Sequence, residues 1–135
     1  MTTYALIRLL HVQIAVLAMG LVTAGAILSR PSSGVPAVAL RPVVRWATGG
    51  FVLMIASGVA LDTFVAGALH RTTWFRAGVA LAIAAGVAVG ISRRVITSAI
   101  AGRLDAERAR RRLSLALWTA FAFIAAAVIV MVVRP

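Results

Sequence analysis

The stretch LSLALWTAFAFIAAAVIVMVV, residues 113–133, decides the fold. It carries no charged side chain. A helix rises ~1.5 Å per residue, so about 20 apolar residues cross the ~30 Å hydrocarbon core of a bilayer. Inside that core only a helix or a closed barrel satisfies every backbone N–H and C=O. Residues 113–133 therefore read as a transmembrane helix.

Three more stretches pass the same test. They cover about residues 4–28, interrupted by Arg8, residues 46–69, which contain Asp62, and residues 74–91. The chain has 135 residues, 62% of them hydrophobic. Soluble domains average about 45–50% apolar, so the composition points away from a water-soluble fold. The link HRTT, residues 70–73, is short enough to force its two spans to be antiparallel neighbours. The expected fold is all-α: a single domain over residues 1–135, an integral membrane antiparallel four-helix bundle. One competing expectation concerns the N-terminus. MTTYALIR, an apolar run and then AGA at 24–26 also resemble a signal peptide with its small-residue cleavage site.

The charge orients the bundle. The net charge is +11, and all 14 basic residues are arginine. Arg30, Arg41, Arg45, Arg93, Arg94, Arg103, Arg108, Arg110, Arg111 and Arg112 fall in the first and third links. Arg8, Arg71, Arg76 and Arg134 fall at the other end. Cytoplasmic loops carry the arginine excess, which predicts cytoplasmic first and third links and both termini outside, in a cell inner membrane. Tyr4, Trp46 and Trp74 fall near the predicted interfaces, as an aromatic belt would. The absence of lysine removes Schiff-base chemistry, and the absence of cysteine removes disulfides and thiolate ligands.

The third link, residues 92–112, has apolar Val95, Ile96, Ala99, Ile100 and Leu104 at spacings of three and four. This predicts an extension of the third helix or an amphipathic helix on the anionic leaflet. The plainer reading is a solvated charge run that sets topology. Glu107 precedes Arg111 by four, the favourable order for a helical ion pair. No aromatic residue is interleaved with the arginines, so nucleic acid is not an expected partner.

Lipid removes the hydrophobic drive between helices, so close packing of small residues matters. Gly78, Ala82, Gly86 and Gly90 form such a stripe on the third helix. His11, Ala15, Ala18, Val22 and Gly25 form a seam on the first, at alternating spacings of four and three. The expected use is the bundle core, with a homo-oligomer or other membrane subunits as further partners besides the lipid bilayer.

Ionisable groups inside a membrane are costly and face a partner or a cavity. At ~1.5 Å per residue, His11 and Asp62 lie roughly 9 Å and 6 Å from the middles of their spans, on the same side. His70 lies about 18 Å from the middle. Gly58, Asp62, Ala66 and His70 share one drifting stripe of a helix running to residue 69. An Asp62–His11 pair would offset burial and leave one imidazole nitrogen for a ligand. The plain alternative is a polar pair that only sets helix register. His11 and Asp62 are the candidate cofactor-binding residues, and His11 and His70 the candidate metal ligands. For His70, an interfacial ring beside Arg71 needs no function. Gln13 is rotated about 200° from His11; it reads as a polar contact to another helix or as reaching toward the outer headgroups.

LHVQIAVLAMG, residues 10–20, resembles the first helix of the copper-resistance-D-like proteins and the J-type protoporphyrinogen oxidases. ASGVALD, residues 56–62, is similar to their second-helix region. The resemblance covers the first two helices and implies four spans, with His11 at the haem-ligand position. The oxidase branch uses a lysine early in helix 3; here Arg76 is nearby and no lysine exists.

Three functions follow as expectations. The first is a small polytopic membrane protein with a haem, other tetrapyrrole or metal site at His11. The second is a non-catalytic accessory subunit of a respiratory or photosynthetic complex. The third is a small proton-coupled transporter using Asp62. No catalytic triad, phosphate loop or nucleotide motif is present, which points away from an enzyme.

Overall fold

The computed structural model describes residues 2–133 and is a bundle of four long helices. They are α1 (Thr3–Leu28), α2 (Arg41–Phe64), α3 (Thr73–Ile100) and α4 (Ala106–Val133). Each is long and apolar enough to cross a membrane. The chain is a multi-pass membrane protein. Arg134, counted above with the minority end, lies outside the described residues.

The helix ends follow from local chemistry. The Thr2 hydroxyl accepts from the Ala5 N–H and caps α1. Arg41 and Pro42 open α2, where the missing N–H of proline costs nothing. At the end of α3, Gly102 takes φ +68° and the Arg103 N–H returns to the Ser98 carbonyl, a Schellman closure. Asp105 then starts α4, accepting from the Arg108 N–H at 2.8 Å. Its second carboxylate oxygen meets Arg108 Nε at 3.2 Å. The acid that pairs is thus Asp105 with Arg108; Glu107 forms no ion pair with Arg111 among the described residues.

Residues 92–112 are therefore mostly helix, divided between α3 and α4 by a five-residue turn. Val95 and Ile96 are buried, Ala99 and Leu104 pack against the core, and Ile100 is exposed. The apolar stripe covers protein rather than a leaflet. Arginines of the first and third links are also organised beyond a plain solvated run. Arg110 donates to the carbonyls of Pro31 and Val35, and Arg30 lies 4.7 Å over the Trp118 ring. These contacts tie α4 to the segment between α1 and α2.

The helices form a ring in chain order, with α1 packed most closely on α2 and α3 on α4. A Cβ built on Gly58 would meet His11, one on Gly50 would meet Ala18, and one on Gly25 would meet Val43. Residue numbers rise on α1 as they fall on α2, so the two are antiparallel. The Gly50 Cβ would sit 3.1 Å from Ala18 Cβ and 3.6 Å from its Cα, so the backbones approach closely there. Ala18, Val22 and Gly25 of the α1 seam are buried as expected. Gly25 and Ala26 pack in the core, where Leu117 of α4 closes over Gly25.

The α3 stripe behaves differently. Four residues advance a helix about 40° beyond a full turn, so a strict four-residue stripe winds off any one face. Gly78 is buried against Met131 of α4, Gly86 faces Phe51 of α2, Ala82 is half-buried, and the space over Gly90 is open. The position that stays on one face recurs every seven residues: Gly78, Ala85 and Ser92, all buried.

Candidate functional site

Helix α2 does not reach residue 69. It stops at Phe64, where a Schellman closure reverses the chain. The Gly67 N–H returns to the Asp62 carbonyl at 2.9 Å and the Ala66 N–H to that of Thr63 at 3.2 Å. Ala66 and Gly67 take φ +52° and +73°, which no continuing helix allows. The expected stripe Gly58–Asp62–Ala66–His70 is broken at Ala66.

The break decides the partner of Asp62. One carboxylate oxygen accepts from the backbone N–H groups of Leu69 and His70, at 3.1 and 3.2 Å. The other meets His70 Nδ1 at 2.9 Å. His70, in a short 3₁₀ turn over Leu69–Arg71, folds back over the end of its own helix. The Asp62–His11 pair does not form, because His70 is closer along the chain and the reversed backbone presents its donors to the carboxylate. His70 is mostly exposed and Asp62 largely covered. The two make a closed turn at the membrane edge.

His11 has another partner. Its Nδ1 lies 2.8 Å from Ser57 Oγ on α2, and Ser57 Oγ lies 3.0 Å from the Met54 carbonyl. A carbonyl only accepts, so the single hydroxyl proton belongs to the Ser57–Met54 bond. The Ser57 oxygen then accepts from His11 Nδ1–H, which assigns the proton to Nδ1 and the lone pair to Nε2. Gly58 leaves room for the ring: a Cβ there would sit 3.4 Å from His11 Cε1. Sequence reasoning passed over Ser57 because a serine five residues before Asp62 looks like ordinary helix filling. The cue was its place opposite His11 once the helices are set antiparallel.

The chain matches no family model, no curated protein and no solved structure.

Three features bound what His11 can hold. Among the described residues no three His, Asp or Glu side chains gather as a metal site. His70 is engaged by Asp62, so the two histidines are not a ready axial pair. Two cavities, of about 160 and 1010 Å³, lie at the arginine-rich end, and His11 lines neither of them. The two histidines thus stand apart, His11 held by Ser57 and His70 by Asp62.

Gln13 is exposed and makes no hydrogen bond among the described residues. It does not join α1 to another helix of its own chain.

Proposed function

We propose that in this small polytopic membrane protein the His11 imidazole would hold a haem or related tetrapyrrole. The carrying observation is the chain His11 Nδ1–Ser57 Oγ–Met54 carbonyl. A ligating histidine needs its second nitrogen held by an acceptor, which orients the ring and raises its basicity. Ser57 and Met54 supply that hold. The tetrapyrrole would supply the redox or ligand-binding chemistry; the chain supplies the donor atom, its tautomer and an apolar surround. The resemblance of residues 10–20 to haem-ligating first helices supports the same reading.

The test is haem titration of purified protein in detergent. A Soret band should grow to saturation, vanish in His11→Ala and persist in His70→Ala. Ser57→Ala should weaken binding by about 10–100-fold, the usual cost of losing an orienting partner. No saturable band, or an undiminished band in His11→Ala, overturns the proposal.

A second reading, an accessory subunit or a homo-oligomer, is favoured by Gln13. It sits roughly 4 Å from the midpoint of α1 at ~1.5 Å per residue, exposed, with its amide unpaired among the described residues. An amide in hydrocarbon finds a partner helix. Gln13→Leu should shift the protein toward monomer on crosslinking or size-exclusion with light scattering. An unchanged assembly state removes the argument.

A further inference from the structure

At the arginine-rich end, α2 and α3 bound a cleft of about 160 Å³. Buried Val44 and Ile96 line it together with Arg41, Arg45, Arg93 and Thr97. The Thr97 hydroxyl is spent on the Arg93 carbonyl at 3.0 Å. The remaining side-chain donors among the lining residues are therefore those of Arg41, Arg45 and Arg93. None of the three makes a hydrogen bond or ion pair with its side chain among the described residues. Arg30, Arg108 and Arg110 each have a partner at the same end.

A topology bias asks for positive charge beside a span. It does not ask arginines from two helices to line one cleft. Three like charges there repel, and no carboxylate lines the cleft to offset them. An anion would. Guanidinium groups match phosphate oxygens in geometry and charge.

Depth names the source. Arg45 directly precedes the apolar run of the second span, and Arg93 follows that of the third by one residue. Both stand where hydrocarbon gives way to headgroups. Trp46, 71% exposed, marks the same level. We propose that Arg41, Arg45 and Arg93 bind the phosphate of an anionic phospholipid from the adjoining leaflet.

The test compares thermal unfolding of the full chain in a neutral detergent with added phosphatidylglycerol, phosphatidylcholine or inorganic phosphate. Phosphatidylglycerol should raise the midpoint and the other two should not. The triple variant R41Q/R45Q/R93Q should lose most of that rise. The triple R94Q/R103Q/R112Q removes the same charge from exposed sites outside the cleft and should keep it. Native mass spectrometry of R93Q alone, which removes one exposed side chain, should show reduced occupancy by phosphatidylglycerol. Equal losses in the two triples would reduce the effect to diffuse charge and overturn the site. So would a full rise from inorganic phosphate, which would make the occupant a free ion, or an equal rise from phosphatidylcholine.

Discussion

Asp62 looks, as a lone carboxylate in an apolar run, like a proton carrier. Its oxygens are instead shared among two backbone N–H groups and one imidazole at the end of α2. Gly67 makes that closure feasible. Its φ of +73° costs an L-residue roughly 1–2 kcal/mol, and an added Cβ would sit 2.5 Å from His70 Cε1. Gly67→Ala should lower stability by more than that φ cost, because the clash with His70 adds to it, measured by denaturant or thermal unfolding in detergent. Combining it with His70→Ala removes the clash, so the double variant should lose less than the two single losses together. At His11 the decisive detail is one hydroxyl proton. Its place on the Met54 carbonyl assigns the imidazole tautomer.

At the scale of elements, heptad spacing organises the bundle. On α2 it runs through Val44, Ala47, Phe51 and Leu61, and on α4 through Ala109, Leu113, Ala116 and Ala120, all buried. A 3.5-residue repeat keeps one face toward a neighbour, whereas a four-residue stripe drifts. The α1 seam was legible because its spacings alternate between four and three. The α3 stripe misled because GxxxG is conspicuous and a heptad of glycine, alanine and serine is not. The approach of α1 to α2 hinges on Gly50 opposite Ala18. Gly50→Leu should cost about 1–3 kcal/mol through overpacking. Gly49→Leu is its control: a Cβ there meets nothing within 4 Å, so stability should barely change. Comparable losses in both variants would rule out the Gly50–Ala18 contact as the cause, since leucine is the better helix former at either position.

For the whole molecule, the arginine distribution predicts orientation. The chain has no cysteine, so single cysteines report without background. Thr73→Cys should react in intact cells with a membrane-impermeant maleimide, and Ser32→Cys only after permeabilisation. The reverse pattern would invert the topology. The same end of the molecule is where tertiary contacts concentrate: Arg110 on the first link, Arg30 on Trp118, and buried Val95 and Ile96 near the end of α3. A rigid arginine-bearing end suits a protein held at a charged lipid surface.

The sequence by itself determined the membrane class, the four spans, their alternation and the α1 packing seam. These depend on hydropathy, length and periodicity, which are local properties. It could not determine which polar groups meet. Asp62 left His11 for His70 because a chain reversal of a few residues outweighed equal depth. His11 found Ser57 because the antiparallel pairing of α1 and α2 placed that hydroxyl opposite. Three arginines from two helices came to line one cleft only when those helices packed. Pairings of this kind depend on a turn and on a helix register, and both exist only in the folded chain.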